Sequence, residues 1–230
     1  MPSHASFSPW IQYDLQQWGS LSDEKYLIRI KEKTIIYNQE EAISNIYIVK
    51  QGRVRLSYYS TEGVEKIYLF ALTGCMFGEE TCFEPEAEFL RAETIVDSEF
   101  YCIPKDEFLN LLSRDISLNA QVLSSMSHKI HVLMEHIRRL SFLNAKSRIA
   151  AVFVDLANIF GVMTADGFHI ELPVVQQGIG NLVNASRLTV NQVIGEFEAL
   201  GILDKKGGRW VIYDLDTLKA LSQLTYRRRS

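Results

Sequence analysis

With 230 residues the chain is long enough for one large or two modest domains, and its 47% hydrophobic and 23% charged residues are those of a globular protein. A net charge of −4 argues against a generic polyanion binder, and no run of about 18 apolar residues is present to span a bilayer. The charge is uneven: residues 141–230 hold 10 Lys and Arg against 8 Asp and Glu, so residues 1–140 carry −6 and a different role is expected of each part.

The opening "MPSHASFSPW" lacks a basic region followed by an apolar stretch, so no export signal is expected and the chain reads as cytoplasmic. Residues 25–103 are rich in short β-branched and aromatic runs: "KTIIY", "NIYIVKQGRVRLSYYS", "TEGVEKIYLFAL" and "EFYCIP". Turn signals at fairly regular intervals separate them, which favours an antiparallel sandwich or roll. Gln51-Gly52 and Glu62-Gly63 stand where hairpins would turn. From Pro104 the period changes. Pro104 can open a short helix through "KDEFLNLL", and a longer one follows Asp115.

In that longer helix Ile116, Asn119, Leu123, Met126, Ile130, Leu133, Ile137 and Leu140 are spaced alternately by three and four. Such a heptad seam is either the core side of a helix lying on its own domain or one strand of a coiled coil. Its narrowness and the polar flanks Ser127, His128, Glu135, His136, Arg138 and Arg139 favour a homodimer joined through Leu123, Met126, Ile130, Leu133, Ile137 and Leu140. A further amphipathic helix over 146–160 is expected to stop at Gly161. "GFHIEL" reads as a strand before Pro173, then "VQQGIGNLV", a turn and "NASRLTVNQVIGEFEALG" read as two helices. "GILDKKGGRWVIYD" reads as a hairpin around Lys206-Gly207-Gly208, and "LDTLKALSQL" as a closing helix. Helix, strand, helix–turn–helix, hairpin is the order of a winged helix.

Within the second helix of that pair, Val190, Val193, Ile194, Phe197 and Leu200 fall on one face and should pack inward. Arg187, Leu188, Asn191 and Gln192 then point out from the first turns, where a helix–turn–helix meets the major groove. Arg can pair with guanine, and Asn or Gln with adenine. Leu188 either meets a thymine methyl or is simply exposed. Ser186 and Thr189 can reach phosphates, and Gln176 and Gln177 open the preceding helix, whose N–H groups favour anions. Glu196 and Glu198 come late, away from the duplex. Lys205, Lys206 and Arg209 on the hairpin strengthen the DNA reading. Tyr226, Arg227, Arg228 and Arg229 either touch phosphates or form a tail.

At these residues the chain resembles the cyclic-AMP receptor protein / fumarate-and-nitrate-reduction regulator (Crp/Fnr) superfamily over nearly its full length. "NIYIVKQGRVRLSYYSTEGVEKIYLFALTGCMFGEE" is similar to its roll, with the turn Met76-Phe77-Gly78-Glu79, and "NASRLTVNQVIGEFEALGIL" to its recognition helix. The resemblance implies an α+β fold: an N-terminal antiparallel β-roll of the cyclic-nucleotide-binding kind, a long dimerisation helix and a C-terminal winged helix–turn–helix. The domains would be 1–114 for sensing an effector, 115–143 for dimerisation and 144–230 for binding a palindromic operator. Arg187 falls on the family's guanine-reading arginine. As an activator the protein would also meet RNA polymerase.

The departures shape the effector expectation. Glu88 and Phe89 stand where cyclic-AMP members carry the Arg-Ser that grips the phosphate, and Arg91 is out of register. Cyclic AMP is therefore not expected. Residues 1–74 contain no cysteine, and Cys75, Cys82 and Cys102 cannot supply four thiolates to an iron–sulfur cluster. Lys129 stands where regulators of reductive dehalogenation, which respond to chlorinated phenolic acids, carry a lysine. It would receive an anionic, aromatic small molecule within a site of Phe77, Gly78, Glu79, Arg91, Met126, Lys129 and Leu133, or else pair with Glu79. Cys75 and Cys82 flank the turn and are candidates for a thiol switch. His128, His131 and His136 do not share one face. No cofactor, metal site or catalytic residue is expected, since a cupin-like enzyme needs strand histidines and none lies between His4 and His128.

Overall fold

A computed structural model describes residues 7–84, 89–170 and 176–223, the side chains of Gln176 and Gln177 excepted. They divide into two compact units, Phe7–Leu133 and the residues from Met134 onward. In the first unit the strands are β1 (Trp10–Ile11), β2 (Leu27–Ile30), β3 (Ile35–Tyr37), β4 (Asn45–Gln51), β5 (Val54–Tyr59), β6 (Glu65–Ala71), β7 (Met76–Phe77), β8 (Arg91–Thr94) and β9 (Ser98–Pro104). They make two sheets, ordered β1–β6–β5–β8–β3 and β2–β9–β4–β7. The pairs are antiparallel, as the short turns require, save that β1 lies parallel to β6 with Trp10 opposite Phe70.

Alternation along β4 explains how the two cores form. Tyr47 and Val49 join Val54, Leu56, Leu69, Ala71, Ala92, Phe77 and Phe100 between the sheets. Ile46 and Ile48 point the other way, to a second core with Trp18, Leu21, Tyr26, Phe108 and Leu112. A strand buried on both faces needs an unbroken apolar run, which "IYIV" supplies. Pro104 ends β9 and caps helix α1 (Lys105–Arg114). Helix α2 (Ile116–Phe142) follows, and the division between the units falls within it after Leu133.

The face that α2 buries is not its heptad seam. Leu118, Val122, Ser125, Lys129 and Val132 are buried, with the first two in the second core and Val132 in the first. Ile116, Leu123, Ile130 and Ile137 of the seam are exposed, Ile116 to 89%, and so is Met134, which the seam reading omits. Met126, Leu133 and Leu140 are half-buried between these faces. Asn119 is occupied locally, its amide donating to the Leu112 carbonyl at the end of α1.

The second unit contains α3 (Ala145–Phe160), β10 (Gly161–Thr164), β11 (Gly167–Ile170), α4 (Gln176–Val183), α5 (Arg187–Ala199), β12 (Leu203–Lys206), β13 (Arg209–Ile212) and α6 (Leu215–Ser222). Its sheet runs β10–β11–β13–β12, one more strand than the sequence suggests, since β10 pairs with β11. Gly161 does end α3, but by close approach rather than by a left-handed cap. Its N–H bonds the Ala157 carbonyl, and a Cβ there would come 2.3 Å from that oxygen. Pro173 and residues 226–229 lie outside the described residues.

Two expectations about polar and apolar faces are corrected. Leu200 is 66% exposed rather than packed inward. Leu200 is the C-cap of α5, its N–H still on the Glu196 carbonyl but its side chain at the edge of the apolar face. Gly201 (φ 67°) then turns the chain, and Ile202 takes the buried position with its N–H on the Phe197 carbonyl. Glu135 and Arg139 are not solvated flanks of α2. Glu135 is buried and accepts from both Arg138 and Arg139. Arg139 also holds Asp155 of α3 at 2.7 Å. Three charges too costly to bury singly, Glu135, Arg139 and Asp155, thus pair with one another, and the more exposed Arg138 adds to Glu135.

Candidate functional site

In the second unit the turn Val183–Ser186 sets the start of α5. Asn184 takes a left-handed conformation (φ 54°), and the Ala185 N–H returns to the Gly180 carbonyl at 3.1 Å. Ser186 is the N-cap, accepting from the Thr189 N–H at 3.0 Å while its hydroxyl meets that of Thr189 at 2.9 Å. Val190, Val193, Ile194 and Phe197 are buried. Arg187, Leu188, Asn191 and Gln192 are exposed together on the opposite face, Leu188 to 68%. Glu196, later in the helix, pairs with Lys146 at 2.7 Å. α4 opens at Gln176 and Gln177, whose side chains lie outside the described residues. The hairpin β12–β13 carries Lys205 and Arg209, both exposed.

In the first unit the turn after β7 directs a carboxylate inward. Gly78 has φ 84°, open to glycine at little cost, and a Cβ there would meet Ile43 at 2.8 Å. The following turn, Glu79–Cys82, is fastened by Lys105, whose ammonium donates to the Thr81 carbonyl. Glu79 is thereby completely buried and pairs through Oε1 with Lys129 of α2. Glu80 stands 3.5 Å from the same ammonium. Burial pushes the Glu79 carboxyl up. Burial acts on Lys129 in the opposite sense, but the two glutamates outweigh it and raise its pKa. Glu79 Oε2 is buried with no hydrogen bond among the described residues, and the hydroxyls of Tyr13 and Ser125 are buried near one another.

Of the other residues expected at this site, Phe77 fills the roll interior, stacked on Tyr47 at 5.2 Å and edge-on to Phe100 at 5.9 Å. Met126 packs on the second core and Leu133 is half-buried. Arg91 is not gathered with them. Ala92 beside it points into the core, so alternation turns Arg91 to the other face of its sheet, where it pairs with Glu93 at 2.6 Å and lies over Tyr59. Phe89 is exposed and stacks on Tyr58, and Glu88 lies outside the described residues. Cys75 is fully buried and its thiol is pushed up to about 12, so it offers no thiolate at neutral pH. His128 is half-buried against the rings of Phe7 and Tyr13, and burial lowers its pKa.

A two-sheet roll, a long helix and a winged helix–turn–helix whose second helix exposes Arg187, Leu188, Asn191 and Gln192 are the architecture of a DNA-binding regulator. Residues 27–115 match the family described as cyclic nucleotide-binding domain, and residues 147–221 the Crp-like helix-turn-helix domain. The cAMP-activated global transcriptional regulator CRP of Salmonella typhimurium is 30% identical over 186 residues, 79% of this chain and 86% of that protein. The anaerobic regulatory protein of Haemophilus influenzae is 27% identical over 213 residues, 92% and 81% of the two. A solved Cys-to-Ser variant of CprK complexed with OCPA has a TM-score of 0.70 at 19% identity, covering 90% of this chain and 93% of that one. The chain belongs to the Crp/Fnr family of transcription regulators. Its likeness to CprK is one of fold. Among the described residues no helix is long and apolar enough to cross a membrane.

Proposed function

We propose that this regulator acts as a homodimer joined along α2 and binds a palindromic operator through α5, in response to a small anionic aromatic effector received by Lys129. The observation that carries the DNA reading is the joint exposure of Arg187, Leu188, Asn191 and Gln192 on the first turns of α5. With Ser186, Thr189, Gln176 and Gln177 supplying phosphate contacts, they form the reading set. The exposed Ile116, Leu123, Ile130, Met134 and Ile137 support the dimer, since water-facing apolar side chains repeated along one helix mark an association surface. Residues 1–114, 115–143 and 144–230 then serve sensing, dimerisation and DNA binding. Effector shifts an equilibrium between orientations of the DNA-binding domains about Phe142–Lys146.

The test is operator selection from random-sequence duplexes, followed by titration across a salt series. The expected site is palindromic and takes two chains per duplex. Arg187→Ala should lose about 1–3 kcal/mol of specific binding. Unchanged operator affinity in that variant would refute the assignment of α5.

For the effector, Lys129 supports the reading as a buried cation that pairs with the equally buried Glu79. An incoming phenolate or carboxylate replaces Glu79 on the ammonium. In a thermal-shift screen read beside operator binding, aromatic acids should raise Tm and change operator affinity while cyclic AMP does neither. Lys129→Ala should remove the response and still dimerise. A normal response in that variant makes Lys129 structural, and stabilisation by cyclic AMP alone overturns the choice of effector class.

A further inference from the structure

Arg148 lies in the first turns of α3, half-buried, and among the described residues no carboxylate pairs with it. Its guanidinium nitrogens go to backbone carbonyls instead. Nε donates to Val183 at 2.8 Å, Nη1 to Leu143 at 2.7 Å and Nη2 to Asn184 at 3.3 Å. These three carbonyls belong to two different links of the chain. Leu143 stands between the end of α2 and Asn144, the N-cap of α3. Val183 is the last residue of α4, and Asn184 begins the turn that leads through Ser186 into α5.

The physical fit is specific to arginine. Carbonyls at a helix C-terminus lack intrahelical partners and carry the negative end of the dipole, so a cation there is stabilised. A planar fork of five donors can meet three acceptors at once, whereas an ammonium is a single point charge. The turn itself has little slack: a Cβ on Gly180 would come 2.8 Å from the Ala185 carbonyl. Arg187 follows Asn184 by three residues, so a small rotation at the turn carries straight into the base-reading side chains.

We propose that Arg148 is a positioning residue for DNA recognition: it holds the turn that aims α5 and ties that turn to the Leu143 carbonyl at the α2–α3 link. It acts through the pose of Arg187, Leu188, Asn191 and Gln192 and touches no DNA itself. The inference rests on the reading of α5 as the base-reading helix.

The experiment compares Arg148→Gln, Arg148→Lys and Arg187→Ala with the wild type by fluorescence anisotropy. The probes are the operator selected by the wild-type protein and a scrambled duplex, each across a salt series. Both Arg148 variants should lose about tenfold or more in operator affinity, because misplacement of recognition groups by about 1 Å is enough for losses of that order. Scrambled-duplex affinity and the slope of log K against log salt should stay at wild-type values. Should Arg148→Gln fail to fold by circular dichroism, Arg148→Lys, which keeps the charge, carries the comparison.

Any of the following outcomes overturns the proposal. Equal losses on both duplexes would make Arg148 merely structural. A salt slope shallower by about 0.9 would make it a direct phosphate contact. Full operator affinity in Arg148→Lys would show that charge alone suffices. Arg187→Ala separates the two levels: if it loses affinity and the Arg148 variants do not, only this inference fails. If Arg187→Ala binds normally, the reading of α5 fails and the inference falls with it.

Discussion

Lys129→Met is expected to destabilise the Phe7–Leu133 unit by about 3–5 kcal/mol in urea titration at fixed protein concentration. Glu79 is completely buried and Lys129 is 6% exposed, so neither charge has water to fall back on. Deleting the ammonium leaves the Glu79 carboxylate with no counter-charge, one oxygen already unpartnered and Glu80 as a repelling neighbour. The carboxyl must then bind a proton to stay inside. Its folded pKa is already raised by burial, and loss of Lys129 raises it further. A carboxyl with a folded pKa above its unfolded value contributes stability that is full below the unfolded pKa and lost as pH rises through the folded one. The variant should therefore regain stability as pH falls from neutral toward about 4. Glu79→Gln should be milder, because Lys129 keeps Glu80 at 3.5 Å. A Lys129→Met loss no larger than that of Glu79→Gln would contradict this account.

Arg139→Met is expected to destabilise the second unit by a similar margin, about 3–5 kcal/mol, again by denaturant titration. Arg139 is the ionic partner of Asp155, which is 3% exposed on the inner face of α3, and one of two partners of Glu135. Burial raises the Asp155 carboxyl and Arg139 pulls it back toward the charged form. Without the guanidinium that carboxyl is left raised, so this variant too should recover as pH falls. Arg138→Met should cost less than about 1 kcal/mol, since its side chain is 44% exposed and Glu135 keeps Arg139. The double variant Arg139→Met/Asp155→Leu should recover most of the loss, because an apolar pair of similar volume carries no desolvation penalty. If the double variant is as unstable as the single one, the defect is packing and not buried charge.

The two positions differ in how visible they were beforehand. Spacing puts Lys129 only just off the heptad seam beside Ile130; that it faces the roll, with Glu79 as the alternative partner, is what the family resemblance implies. Arg139 and Glu135 looked like solvated flanks, because periodicity cannot tell an exposed face from one covered by a later helix. Asp155 carried no signal at all: an aspartate in "AVFVDLAN" reads as an interruption until its arginine is located. Arg148 was equally silent, since its partners are backbone carbonyls and carbonyls leave no trace in composition. Met134 lies off the heptad positions, so the spacing does not mark it.

Local physics was sufficient for the order and type of the longer elements, but not for the short strands β1 and β10, which pair with β6 and β11. Period-two runs broken by glycine turns made the sheets, apolar spacing of three and four made the helices, and the early polar positions of "SRLTVNQ" were necessarily the outward ones once Val190, Val193, Ile194 and Phe197 turned in. These are properties of neighbours in the chain. The tertiary structure decided which face of α2 is buried, where Arg91 points, that Leu200 is outside and that β1 lies parallel to β6. It also brought Glu79 to Lys129 and Arg139 to Asp155. Each of those depends on groups distant in sequence meeting in a low-dielectric interior, where a charge is tolerated only if its partner arrives with it.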